Sequence, residues 1–118
     1  MDMHEGWSDD LPWIGQYILD ENGDAVRAEG LLSWAKWMED HRADLQLAEN
    51  KIANARVSTI FLGLDYGHLA GIPLPIDYKP TLWETMVFGG PYNRFMVRYT
   101  SKEDALEGHG NIVQMLNS

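Results

Sequence analysis

Apolar and polar residues alternate along three stretches in the second half of the chain, and this alternation predicts β-strands. Residues 56–65 carry apolar side chains on both faces, which is typical of a central strand covered on both sides. Residues 81–88 predict a second strand. Residues 95–99 predict a third, which pairs with the second through a Gly-Gly-Pro-Tyr-Asn connection. These strands predict the centre of an antiparallel sheet.

The first half of the chain predicts a hairpin and a less regular segment. Apolar residues of 13–19 precede Asn22-Gly23, a strong hairpin turn signal, and residues 25–27 predict the return strand. Residues 44–58 predict a short strand, a turn supplied by Asn50 or Asn54, and the start of the long central strand. A helical continuation stays open there, because its alanines favour a helix.

Two segments have helical spacing. Residues 30–41 repeat apolar side chains at i, i+3, i+4 and i+7, namely Leu31, Trp34, Ala35 and Met38. Ser101 lies three residues before Asp104, as in a capping box, and predicts a helix over 102–116. We therefore predict an α+β fold: an antiparallel sheet of four to six strands, with two helices packed mainly on one face. The predicted core residues are Trp34, Val57, Phe61, Leu62, Trp83 and Val87.

The last predicted helix contains two glycines, Gly108 and Gly110. Glycine in a helix interior is less stable than alanine by about 1 kcal/mol. Each glycine therefore either permits close packing or marks a break in the helix.

Length and composition indicate one small globular domain. The chain has 118 residues and is 45% hydrophobic, enough for one core. We predict a flexible acidic lead over residues 1–10 and a single α+β domain over residues 11–118. The absence of cysteine excludes disulfides and thiolate metal sites. The sequence contains neither a signal peptide nor a run of about 18 apolar residues, so we expect a cytosolic protein, without membrane association.

Negative charge is concentrated in the first half of the chain. The net charge is −9, and residues 1–50 hold twelve acidic and three basic side chains, whereas residues 51–118 hold six of each. Such a field disfavours direct nucleic-acid binding, which requires clustered Lys and Arg. It fits a protein partner with a basic surface, or solubility alone.

Two acidic groups are the candidate partner-binding residues: Asp20, Glu21 and Asp24 in the hairpin turn, and Glu39, Asp40 and Asp44 at the end of the first helix. Negative charge at a helix C-terminus opposes the helix dipole. We therefore infer that these charges serve binding more than stability, and we predict that both groups lie on one side of the molecule.

The chain contains no familiar catalytic or phosphate-binding motif. The candidate ligand-binding residues are Asp65, Tyr66, His68, Glu84 and His109. Two carboxylates and a histidine suit metal binding or acid–base chemistry. The structural alternative is that Glu84 pairs with Arg98 or Arg56, Asp65 caps a loop, and His109 is a hydrogen-bonded core residue. We favour this alternative, and we predict no cofactor, no metal and no enzymatic activity.

Three segments resemble a family of small uncharacterised proteins of bacteriophages and prophages: VSTIFLGLD at 57–65, LWETMVFGG at 82–90, and RYTSKEDALEGH at 98–109. The turn at 19–23 and the tryptophan pair at 34–37 resemble it too. The family has a histidine directly after the Leu-Asp pair, where this chain has Tyr66, with His68 two residues further on. The resemblance implies a phage-borne accessory protein of the host cell cytoplasm and implies no activity.

Three functions remain open from the sequence. The leading one is a protein that binds a host protein, for instance inhibiting a host defence complex such as a nucleic-acid-guided nuclease through an acidic surface. The second is a small-molecule or nucleotide binder, or an enzyme, that uses Asp65, Glu84 and His109. The third is a minor virion or assembly component. The oligomeric state is left open.

Overall fold

The computed structural model describes residues 8–10, 13–69 and 73–118, except for the side chains of residues 68 and 69. The chain divides into two compact units. Unit 1 comprises Met1–Ala43 and Gly63–Pro80, and unit 2 comprises Asp44–Leu62 and Thr81–Ser118. This division does not decide whether residues 11–118 form one domain, which stays a prediction. Most of the predicted flexible lead, residues 1–7, lies outside the described residues.

Unit 1 contains the predicted hairpin. β1 (Tyr17–Leu19) pairs antiparallel with β2 (Ala25–Arg27), which confirms the prediction. The Asp20 carboxylate closes the turn by accepting hydrogen bonds from the backbone N–H groups of Asn22 and Asp24, each at 2.9 Å. Gly23 follows with φ of 82°, a left-handed conformation that glycine adopts without steric cost. Asp20 therefore has a local structural role as well as a charge.

The predicted first helix is α1 (Leu31–Asp40), which lies against β1. Its N-cap residue is Gly30, whose lack of a side chain leaves the first helical N–H groups without a local acceptor. Asp9 supplies one: its carboxylate accepts from the Ser33 backbone N–H at 2.9 Å and from the Ser33 hydroxyl at 2.5 Å. These hydrogen bonds lower the pKa of Asp9. Part of the predicted lead is thus tied to α1.

The segment of residues 66–80, between the two parts of unit 2, begins with a short helix, α2 (Tyr66–Leu69). Residues 73–80 contain no further helix or strand, and residues 70–72 lie outside the described part.

Unit 2 is built on a four-stranded antiparallel sheet in the order β3-β4-β5-β6. The strands are β3 (Gln46–Ile52), β4 (Ala55–Phe61), β5 (Trp83–Phe88) and β6 (Met96–Tyr99). The central position of β4 and the pairing of β5 with β6 confirm the prediction. A 3₁₀ turn, Arg42–Asp44, precedes β3.

The segment before β4 differs from its prediction in two ways. β3 is a full seven-residue strand, so the helical alternative is wrong: pairing with β4 overrides the helix preference of the alanines in residues 44–58. Asn50 lies within β3, so assigning it to a turn is also wrong. The turn falls at residues 53 and 54, where Ala53 has φ of 53°.

The last helix, α3 (Lys102–Asn117), lies across one face of this sheet and contacts all four strands. Ser101 caps it by accepting from the Asp104 N–H at 3.0 Å, as predicted. Ile112 of α3 packs with Ala55, Val57 and Val87 in the buried core. The architecture confirms the predicted α+β class.

The predicted core residues are mostly buried. Val57, Phe61, Trp83 and Val87 are buried, whereas Leu62 and Trp34 are only half-buried. The Trp34 indole N–H donates to the Gly63 carbonyl at 2.8 Å, so this ring serves a polar contact as well as an apolar one.

Phe61→Ala tests the central strand. Phe61 is 2% exposed and its ring lies 5.6 Å from that of Trp83, so truncation should lower the free energy of unfolding by about 3–5 kcal/mol. Chemical denaturation measures this loss. Phe95→Ala, at a side chain 42% exposed, is the matched control and should cost under about 1 kcal/mol. Equal losses would contradict the assignment of Phe61 to the core.

The two glycines of α3 should respond oppositely to alanine. A Cβ on Gly108 would overlap the ring and hydroxyl of Tyr99, whereas one on Gly110 would meet nothing within 4 Å. Gly108→Ala should therefore destabilise the fold by about 1–3 kcal/mol, and Gly110→Ala should stabilise it by about 0.5–1 kcal/mol. Thermal unfolding of both variants measures the difference, and a shift of the same sign in both would contradict this packing.

Candidate functional site

A chain of hydrogen-bonded side chains lies between α3 and the sheet of unit 2. The Tyr99 hydroxyl donates to Thr85 Oγ1 at 3.1 Å, and the Thr85 and Thr59 hydroxyls are 2.5 Å apart. Thr59 Oγ1 lies 2.7 Å from His109 Nδ1, and His109 Nε2 lies 2.7 Å from Asn50 Oδ1. We call these five residues the polar chain. It connects all four strands of the sheet and the helix.

The register of the sheet builds the polar chain. Thr59 lies directly opposite Thr85 in the β4–β5 ladder, and both point toward α3 with no solvent exposure. His109 shares its helix face with Ala105 and Ile112, the other two buried residues of α3. Its burial and its hydrogen bonds agree with the interpretation of His109 as a hydrogen-bonded core residue.

The donors and acceptors settle the direction of the polar chain. Asn50 Oδ1 can only accept, so His109 Nε2 donates to it and carries the proton. Nδ1 is then an acceptor for the Thr59 hydroxyl, which in turn accepts from Thr85. Burial lowers the pKa of His109, which favours this neutral form.

The polar chain contains a hydroxyl beside an imidazole, the pair used in nucleophilic catalysis. A substrate would have to reach Thr59 or Thr85, and both are 0% exposed. Tyr99 and Asn50, at the two ends, are the members that reach the surface. The two threonine hydroxyls are closed to substrates, and the polar chain links α3 to the sheet by hydrogen bonds.

Glu84 lies on the opposite face of the sheet from the polar chain, because its neighbour Thr85 points toward α3. Glu84 is 8% exposed and accepts from Arg98 Nε at 3.0 Å, across the β5–β6 ladder. This confirms the predicted ion pair with Arg98. It also means that Glu84 and His109 cannot share one site.

Asp65 is buried in unit 1 and accepts hydrogen bonds from two residues of the segment that follows it. Its carboxylate accepts from the Gly67 N–H at 3.1 Å and lies 2.8 Å from the Tyr78 hydroxyl at both oxygens. Burial, and then the hydrogen bond to Asp65, raises the pKa of Tyr78 to about 12. The interpretation of Asp65 as a loop cap agrees with these contacts. Tyr66 is exposed, and the side chain of His68 lies outside the described part.

The predicted ligand-binding residues are distributed over both units. Asp65 and Tyr66 belong to unit 1, whereas Glu84 and His109 belong to unit 2 and lie on opposite faces of its sheet. Among the described residues, no three His, Asp or Glu side chains are grouped so that they could hold a metal ion.

The predicted partner-binding residues are all exposed. Asp20, Glu21 and Asp24 occupy the β1–β2 turn, and Glu39 and Asp40 end α1, whose last turn contains no basic residue. These five lie in unit 1. Asp44 lies in unit 2, so the prediction that both groups lie on one side of the molecule stays a prediction.

The sequence analysis missed most of the polar chain and one further buried residue. Gln16 is 0% exposed and accepts from the Ile14 N–H at 2.7 Å, while its Nε2 is buried without a hydrogen-bond partner among the described residues. The available signal for the polar chain was the pair of threonines on otherwise apolar strand faces.

Comparison with known proteins adds no relative. No family model, no curated protein and no solved structure matches the chain. The resemblance to phage proteins therefore stays a prediction. In the part of the chain that the structure describes, no helix is long and apolar enough to cross a membrane.

His109 predicts a pH dependence of stability. Its pKa is lowered in the folded state, so the unfolded chain binds the proton more tightly. Stability should be constant above the ordinary histidine pKa of about 6.5 and fall as the pH drops toward the folded value. The difference in free energy of unfolding between the native protein and His109→Gln should therefore shrink on acidification. Denaturant titrations at several pH values measure it, and a constant difference would contradict burial of a neutral imidazole.

Proposed function

We propose that the chain is a binding protein that docks onto a basic surface of a partner protein through exposed carboxylates of unit 1. The observation that carries the proposal is the segregation of charge: unit 1 holds twelve acidic and four basic side chains, whereas unit 2 holds six and five. A field confined to one unit attracts a partner of opposite charge and orients it.

Within unit 1, two exposed places concentrate the charge. Glu21 and Asp24 lie at the β1–β2 turn, and Glu39 and Asp40 lie at the end of α1. Carboxylates at a helix C-terminus oppose the helix dipole, and the last turn of α1 contains no basic residue. Since α1 lies against β1, both places belong to the same packed pair of elements.

A binding role is also supported by the hydrogen bonds and the ion pair that the candidate catalytic side chains make within the protein. Asp65 is hydrogen-bonded to Tyr78, Glu84 is paired with Arg98, and His109 is enclosed in the polar chain. Each of these contacts serves the fold, which leaves the exposed carboxylates as the best-supported functional surface.

The partner class follows from charge and from the resemblance to phage proteins. A host protein with a basic surface fits the field of unit 1. The most concrete form is inhibition of a host defence complex such as a nucleic-acid-guided nuclease, since an acidic surface can occupy a site made for a phosphate backbone.

Neutralising the end of α1 tests this proposal. Glu39→Gln with Asp40→Asn should leave the melting temperature equal or higher, because it removes charges that oppose the dipole. The same variant should bind the partner several-fold more weakly and with a flatter salt dependence, because exposed charges act through a screened field. Co-purification of tagged protein from host lysate at low and high salt, followed by titration of the captured partner, measures both.

The matched control is Glu103→Gln with Glu107→Gln on α3 of unit 2, which removes the same charge from exposed positions elsewhere. It should leave partner binding unchanged. Equal weakening of partner binding by both double variants would mean that the net charge of the chain, and not the end of α1, determines binding. Partner binding that responds neither to salt nor to either variant would overturn the proposal.

A further inference from the structure

Four consecutive apolar residues of unit 1 are exposed: Pro73, Leu74, Pro75 and Ile76. We call residues 73–76 the apolar loop. Ile76 is 107% exposed, so its side chain buries no area against its own chain. A single exposed apolar residue is ordinary, whereas a run of four is an error in a globular protein unless it has a function. The apolar loop is therefore a candidate contact surface.

Hydrogen bonds fix the backbone at the end of the apolar loop. The Tyr78 N–H donates to the Pro75 carbonyl at 3.0 Å, and this bond closes a turn with Ile76 and Asp77 at its centre. The Tyr78 hydroxyl ties the turn to buried Asp65, at 2.8 Å from both carboxylate oxygens. Proline restricts the backbone further. Ile76 is thus held in one position before binding, which lowers the entropy lost when a partner buries it.

The charge of unit 1 indicates which kind of molecule covers the apolar loop. Unit 1 holds twelve acidic and four basic side chains, and the exposed Asp77 lies directly beside Ile76. Anionic lipid surfaces and phosphate backbones repel such a unit, whereas a protein with a basic surface attracts it. An apolar pocket that adjoins a basic protein surface complements both the side chain and the field around it.

We propose that Ile76 anchors the partner interface by inserting into an apolar pocket beside the basic surface of the partner protein. This inference rests on the function proposed above and gives two parts of unit 1 different tasks. The exposed carboxylates accelerate and orient the encounter, and Ile76 slows dissociation of the complex once it has formed. Such a division is common, because a few side chains in central pockets contribute most of the binding energy of an interface.

Ile76→Ser tests the anchor. The probe is the protein that the native chain captures from host lysate at low salt, purified and titrated against each variant by surface plasmon resonance. Loss of a buried isoleucine side chain should raise the Kd about tenfold to a hundredfold, through faster dissociation and with the salt dependence unchanged. Ile76→Val removes one methyl group and should raise the Kd less. Glu39→Gln with Asp40→Asn should instead slow association and flatten the salt dependence.

The matched control is Leu106→Ser on α3 of unit 2, which removes an apolar side chain that is 46% exposed. It should leave the Kd unchanged. Because the Ile76 side chain buries no area within the chain, Ile76→Ser should also leave the melting temperature unchanged. Weaker binding by this variant then reports a lost contact with the partner and not a damaged fold.

The outcomes separate the anchor from the proposed function. Partner binding that Ile76→Ser leaves unchanged, while Glu39→Gln with Asp40→Asn weakens it, would overturn the anchor alone. Binding that responds to Ile76→Ser but neither to salt nor to the double variant would overturn the proposed function, and with it the basic surface beside the pocket. A native chain that captures no protein at low salt would overturn both.

Two further measurements test other molecules that could cover the apolar loop. Vesicles of anionic and of zwitterionic phospholipid test a lipid surface by co-sedimentation, and sedimentation velocity of the purified chain tests a second copy. Neither vesicle binding nor dimerisation should depend on Ile76. A loss of either in Ile76→Ser would assign the loop to that contact and overturn the proposal.

Discussion

Two threonine hydroxyls and one imidazole are buried between α3 and its sheet, and unit 2 depends on the hydrogen bonds that they make. An unpaired buried polar group costs about 1–3 kcal/mol, so each of these groups must find a partner inside the protein. Thr59, Thr85 and His109 find one another, and the chain ends at Tyr99 and Asn50 near the surface. A shift of β5 by one residue in the β4–β5 register would turn Thr85 to the other face of the sheet and break the polar chain at its contact with Thr59.

The same interaction explains why three distant segments of the sequence belong together. Thr59, Thr85 and His109 come from the three segments on which the resemblance to phage proteins rests, and Tyr99 and Gly108 come from the third of them. Gly108 leaves room for the Tyr99 ring, which places its hydroxyl on Thr85. These residues of the three segments thus meet in the core of unit 2, where their contacts hold α3 against the sheet.

The sequence predicted what depends on local pattern. The alternation in β4 and β5, the Asn-Gly turn and the Ser101 cap each act over a few residues, and each has the predicted form. Asn50 shows the limit: asparagine is typical of turns, but this residue pairs with Val57 in the β3–β4 ladder and its side chain accepts from His109 on another element. Asp9 is a second case, because its role as acceptor for Ser33 depends on a contact 24 positions away. Long-range partners of polar groups have no periodic signal.

The account rests on a neutral His109 whose proton lies on Nε2. Long-range ¹H–¹⁵N correlation of the imidazole by NMR reports both ring nitrogens directly. At neutral pH it should show Nε2 protonated and Nδ1 as an unprotonated acceptor, and the ring should remain neutral as the solution passes below a pH of about 6.5. A proton on Nδ1, or a ring that charges at the ordinary histidine pKa, would contradict the buried polar chain.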